Sequence, residues 1–137
     1  MHAKMPQVRE YMTPTPHTIA AETPLPTVQE LMRQHRVRHL PVKKGETLVG
    51  IISDRSVKSA LGFEGKNTLT AEDVMIRDPF TVAPQTDLDE VVAAMAEEKY
   101  GCALIQDNDG KLVGIFTTVD ACRALRQVLE TFYPDRT

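Results

Sequence analysis

Hydrophobic positions in this chain fall into two kinds of run, and the two kinds alternate in the same order twice. Around Val28, Leu31, Met32 and His35 they recur at i, i+3, i+4 and i+7, the spacing of one helix face. Val91, Ala94 and Met95 repeat that face further on. Ahead of each helix lies a short β-branched piece, "HTIAA" or "FTVAP", which predicts an extended segment. Thr23 and Thr86 are expected as helix N-caps, because a hydroxyl there accepts from orphan backbone N–H groups, and Pro24 suits the first helical position. Two strands follow each helix: "RHLPV" and "TLVGIIS", then "CALIQD" and "KLVGIFT". The turns "KKGE" and "DNDG" join each pair. A second helix is expected from Asp54 to Leu61, and its counterpart from Val119 to Thr131.

The repetition is literal. Met12, Pro16, Thr18, Ala20, Thr23, Leu25, Val28 and Met32 recur 63 positions later, and Leu48–Ile51, Ala60 and Leu61 recur 64 positions later. Eight and six identities make fourteen in one frame, with a single extra residue in the "DNDGK" turn. The expected organisation is a first repeat over residues 1–61, a linker over 62–70, a second repeat over 71–131 and a tail over 132–137. Each repeat reads β-α-β-β-α, a mixed α/β (α+β) fold. A small sheet with helices on one face cannot bury itself alone, so the two repeats are expected to pack together with pseudo-two-fold symmetry.

Composition narrows the function. The 137 residues are 42% hydrophobic, enough for a core, with a formal net charge of −3. That charge, and the lack of an aromatic stacking platform, argue against a nucleic-acid partner. No apolar run is long enough for a membrane span and the N-terminus has no signal-like stretch, so the expected location is cytoplasmic. Cys102 and Cys122 are expected to be reduced packing residues. His35 and His39 have a four-residue spacing that binds metal only on a helix, and His39 falls on a strand, so no metal site is expected. His35 is read as a packed or interface residue, His17 as partly buried, and the in-register methionines as core. No nucleophile–base pair, paired carboxylates or phosphate-binding loop is visible, so the chain does not read as an enzyme.

The openings "MTPTPHTI" and "MIRDPFTV", the strand "RHLPV", and the segments "GIISDRS" and "GIFTTVD" resemble a tandem pair of cystathionine-β-synthase (CBS) domains, the Bateman module. The likeness runs from about Val8 to Leu129 and points to a stand-alone pair. It implies a regulatory module that binds adenosine-containing ligands in two clefts between the repeats, with modules pairing into a flat four-repeat disk. It also implies that each cleft uses a segment G-h-h-[ST]-x-x-D (h, hydrophobic), whose hydroxyl meets ribose or phosphate and whose aspartate accepts from both ribose hydroxyls. The chemistry is sound, because a cis-diol offers two donors and a carboxylate two acceptor oxygens.

The two copies are unequal on that pattern. "GIFTTVD" keeps Gly114, Thr117 and Asp120, whereas "GIISDRS" keeps Ser53 but has Ser56 at the aspartate position. By the resemblance, Arg38, His39 and Arg55 face phosphates in the Asp120 cleft, Leu40 and Pro41 form an apolar wall, and adenine lies along Thr81 and Val82. A weaker second site would use Thr18, Ile19, Gly101, Cys102, Ser53 and Ser56; it reads as lapsed, or as adapted to a ligand without phosphate. Arg77 is a candidate for a longer phosphate chain, while Arg33, Arg36, Lys43 and Lys44 read as a solvated face. The expected ligand is an adenine nucleotide (AMP, ADP or ATP) as regulator, with no cofactor required. S-adenosylmethionine, NAD and cyclic dinucleotides share the adenosine. A homodimer through the Val28–Met32 and Val91–Met95 faces and an unidentified effector protein are the expected partners. The alternative is a ligand-free dimerisation or protein-interaction module whose nucleotide sites are vestigial.

Overall fold

A computed structural model of the protein describes residues 4–63 and 68–136. A 3-10 turn over Val8–Glu10 leads to β1 (Thr13–Pro14), β2 (Ile19–Ala20), α1 (Leu25–His35), β3 (His39–Lys44), β4 (Thr47–Ser53) and α2 (Asp54–Leu61). The chain continues through α3 (Ala71–Val74), β5 (Ile76–Arg77), β6 (Thr81–Val82), α4 (Leu88–Glu98), β7 (Cys102–Gln106), β8 (Leu112–Thr117) and α5 (Thr118–Phe132). The β-α-β-β-α series therefore occurs twice, with short elements at each opening that periodicity did not announce.

Two compact units form, and they do not follow the sequence repeats. One is Pro16–Pro79; the other joins Met1–Thr15 to Phe80–Thr137. The Pro16–Pro79 unit holds a sheet in the order β2-β3-β4-β5, with β2 parallel to β3 and the other pairs antiparallel. The second unit holds the order β1-β8-β7-β6, with β6 parallel to β7. Each sheet thus takes its far edge strand from the opening of the other sequence repeat. Within the stretch expected as a linker, Leu69 and Thr70 are already structured, because Leu25 N–H donates to the Leu69 carbonyl at 3.1 Å and Thr70 caps α3. Residues 64–67 of that stretch lie outside the described residues.

The exchanged openings are held identically. In the second unit Val8 N–H donates to the Thr86 carbonyl, and Leu88 N–H to that of Pro6, both at 2.8 Å. In the first unit Ala71 N–H donates to the Thr23 carbonyl at 2.8 Å. This explains why the threonines are not the caps they were expected to be. Thr23 and Thr86 lie in the turn that receives the opening, the Thr86 hydroxyl accepts from Ala83 N–H at 3.2 Å, and the N-cap positions fall one residue later, at Pro24 and Asp87.

The repeated "LVGI" has its cause here as well. A Cβ at Gly50 would lie 2.6 Å from the Ile76 carbonyl oxygen and 2.7 Å from Met75 Sδ. A Cβ at Gly114 would collide with Met12 Sδ. Both distances are below van der Waals contact, so only glycine lets the exchanged opening lie flat against the sheet. Each unit then closes its own core. Leu25, Val28, Met32, Leu40, Val42 and Ile52 pack together in one. Val8, Val91, Met95, Ala103, Ile105 and Phe116 do so in the other.

Candidate functional site

β8 ends at Thr117 and α5 starts at Thr118, so the first turn of the helix follows the strand directly. Thr117 Oγ1 accepts from Asp120 N–H at 3.4 Å. Asp120 Oδ2 in return accepts from Thr117 N–H at 2.9 Å and from the Thr117 hydroxyl at 3.2 Å. That reciprocity is a capping box. Asp120 Oδ1 accepts from the Thr13 hydroxyl at 3.2 Å and from Arg123 Nη1 at 3.4 Å. The aspartate is only 4% exposed. A carboxyl group that deep needs hydrogen-bond partners, and these supply them. Arg123 approaches from solvent, with its side chain 73% exposed.

The matching turn in the Pro16–Pro79 unit is neutral. Ser53 Oγ accepts from Ser56 N–H at 3.2 Å and donates to Ser56 Oγ at 3.0 Å, which caps α2 without a carboxylate. Asp54, next to Ser53, is paired with Lys58 at 3.1 Å.

The candidate residues divide between the units. Thr81, Val82, Gly101, Cys102, Thr117 and Asp120 belong to one; Thr18, Ile19, Arg38, His39, Leu40, Pro41, Ser53, Arg55 and Ser56 belong to the other. Leu40 and Ile19 are core residues of their unit, because alternation along β3 and β2 turns them inward, so their side chains are used in packing. Pro41 is also buried, while Arg38, Arg55, Thr18, Thr81 and Gly101 are exposed. Val82 is half-buried against its own core. Arg77 lies exposed in β5, paired with Gly50.

One charge differs from expectation, that of His39. His39 lies opposite Ser53 on β4, half-buried. Burial, with the adjacent Arg38 charge added, pushes its imidazole below the usual 6.5, against a smaller opposing pull from Asp54. It is therefore a neutral donor or acceptor at pH 7, and the cations of the expected trio are Arg38 and Arg55. Burial drives the Cys102 thiol up to about 12, which makes it inert packing. Cys122, expected to pack likewise, is exposed on α5.

The helix faces also differ from expectation. Val28, Met32, Val91 and Met95 are buried inside their own units and are not free to dimerise. An open apolar face runs along α5 to the residue after its end, where Leu125, Leu129, Phe132 and Tyr133 are 56%, 47%, 63% and 72% exposed. An open depression of about 460 Å³ runs along it past Cys122. A second, of about 670 Å³, lies beside α2 and is lined by Arg55, Ser56, Ala60 and Phe63. His17 and His35 are both exposed and stack at 3.6 Å between ring centroids, where burial was expected for His17. Phe80, the counterpart of His17, stacks on Tyr100 at 4.8 Å.

Thr13 and Arg123 were not among the candidates read from the sequence. Thr13 carried one signal: it aligns with Ile76, so a hydroxyl accompanies the copy that has Asp120 and an alkyl group the copy that has Ser56. Among the described residues, no group of three or more His, Cys, Asp or Glu could hold a metal ion, and no helix is long and apolar enough to cross a membrane.

Comparison with known proteins bears on this arrangement. The family model described as "CBS domain" matches residues 8–62 and again 71–127. An inosine-5'-monophosphate dehydrogenase of Thermoplasma acidophilum is 32% identical over 104 residues, which span 76% of this chain but about a fifth (20%) of that enzyme. A putative acetoin utilization protein (AcuB) from Vibrio cholerae is 29% identical in sequence and superposes with a TM-score of 0.83, covering 98% of this chain and all (100%) of that one. CBSX2 from Arabidopsis thaliana, solved in complex with AMP, is 28% identical with a TM-score of 0.78, over 89% of this chain and 97% of that one.

Proposed function

We propose that this chain, which belongs to the CBS domain family and carries the domain twice, is a non-catalytic regulatory module. Its ligand in this reading contains adenosine, with AMP, ADP or ATP first in order, and binds at the Thr117–Asp120 turn. The observation that carries this is the Asp120 carboxylate. It is buried, its Oδ2 is fixed by the capping box, and its Oδ1 is held by two bonds, one of them from a solvated arginine. A ribose cis-diol can replace the Arg123 contact with charge-assisted hydrogen bonds at little cost to the fold. Support comes from CBSX2, a relative crystallised with AMP.

Arg38 and Arg55 are assigned to phosphate and His39 to a neutral hydrogen bond. Their part, like the idea that the ligand draws on both repeats, rests on the family resemblance. Ser56 cannot offer a paired acceptor, so the copy-one turn is assigned no nucleotide. The regulated effector is another protein or domain. The relative from Thermoplasma acidophilum matches over a fifth of its length, so its activity is not carried over.

The exposed α5 face supports a second reading, a ligand-free module that dimerises or docks through Leu125, Leu129 and Phe132. Thermal unfolding separates the two. Wild type and Asp120→Asn are heated with millimolar AMP, ATP, NAD or S-adenosylmethionine. A ligand at 100 times its dissociation constant adds about 2.7 kcal/mol. The sensor reading expects one nucleotide to stabilise the wild type and not the variant. Should none stabilise the wild type, the interaction module stands in its place.

A further inference from the structure

We infer that Thr13, on the exchanged opening strand, is a positioning residue that sets the ribose specificity of Asp120. The inference rests on the reading of Asp120 as the ribose acceptor. β1 pairs with β8 so that Thr13 lies opposite Ile115, two residues before Thr117. From there its hydroxyl donates to Asp120 across a sequence separation of 107, at 3.2 Å to Oδ1 and 3.4 Å to Oδ2. Thr13 itself is exposed, so it contributes to no core.

The molecule holds its own control. β5 pairs with β4 in the same way, with Ile76 opposite Ile51. Ile76 stands in the place of Thr13 and Ser56 in the place of Asp120, yet that sheet edge forms and Ser53 still caps α2. Strand pairing therefore needs no hydroxyl at this position, and helix capping needs no carboxylate. The two polar groups are present together in one copy and missing together from the other. What they do together is fix the carboxylate: the capping box holds Oδ2, and Thr13 holds the orientation of Oδ1, the oxygen left to meet a hydroxyl of the ribose.

The test is calorimetric titration of the full chain with AMP and with 2′,3′-dideoxy-AMP, for wild type, Thr13→Val, Thr13→Ile and Thr13→Ser. Thermal midpoints without ligand confirm that each variant is folded; Thr13→Ile copies the residue at position 76, which the fold already accepts. Wild type is expected to prefer AMP over the dideoxy analogue. Thr13→Val and Thr13→Ile shrink that preference by about tenfold, the worth of one well-placed hydrogen bond to a charge. Thr13→Ser restores it. If wild type prefers AMP and the preference persists in Thr13→Val and Thr13→Ile, the role of Thr13 is overturned while Asp120 keeps its own. If wild type binds both equally or neither, the ribose reading falls and the inference falls with it.

Discussion

At the scale of single residues, the candidate site is a matter of which side chains are charged and which oxygens are free. His39 shows how position overrides type. Its folded-state pKa lies below the ordinary 6.5, first through burial and then through Arg38. The unfolded chain therefore binds more protons than the folded one once the pH falls towards 6.5, and stability rises with pH wherever that is so. The contribution of a neutral His39 is fully present above 6.5, and it is lost as pH falls through 6.5 towards the lower folded value. Urea midpoints measured from pH 8 to pH 5 for wild type and His39→Gln check this. The variant is expected to lose less stability on acidification, and the difference isolates His39 from the exposed His17 and His35. Parallel curves would show that burial of this imidazole carries no cost.

Elements show which parts of the fold were legible in sequence and which were not. α2 runs from Asp54 to Leu61 and β4 from Thr47 to Ser53, as periodicity and the turn residues predicted. The two-residue strands β1 and β5 were invisible, because two residues carry no period. The exchange of openings was invisible for a deeper reason. When two repeats align without a gap from Met12 to Met32, an opening that folds onto its own repeat and one that folds onto the other leave the same sequence. Thr13 could not be joined to Asp120 for that reason, although Asp120 itself was plain from the motif. The glycine of "LVGI" is the element-scale test of the exchange. Gly114→Ala places a methyl group against Met12 Sδ and is expected to destabilise by about 1–3 kcal/mol, as overpacking does. Shortening the neighbour in Gly114→Ala/Met12→Val should recover part of the loss, because residues in contact are not additive. A denaturant series in which the two changes simply add would mean that Met12 and Gly114 do not touch.

For the whole molecule the exchange has a consequence that the sequence repeats alone would not give. Residues 1–12 precede the first repeat's extended piece, yet they belong to the unit of Phe80–Thr137. They give that unit the fully buried Val8 and place Met12 against its core. They also bring three backbone hydrogen bonds, Val8 N–H to the Thr86 carbonyl at 2.8 Å, Arg9 N–H to that of Pro84 at 3.1 Å and Leu88 N–H to that of Pro6 at 2.8 Å. Burying one such side chain is worth about 1.5–3 kcal/mol, against a total stability of about 5–15 kcal/mol for a small domain. Deleting residues 1–12 should therefore remove a large fraction of the stability of the distant half of the chain. Amide hydrogen exchange reads this directly, since each amide reports the opening of its own region. The deletion is expected to strip protection first from Val91, Ile105 and Phe116, nearly eighty residues or more beyond the cut. Val42 and Ile52, in the repeat that follows the deleted segment along the chain, should lose protection later or less. Loss that begins at Val42 and Ile52 would assign the opening to its own repeat and undo the exchange, and with it the contact between Thr13 and Asp120.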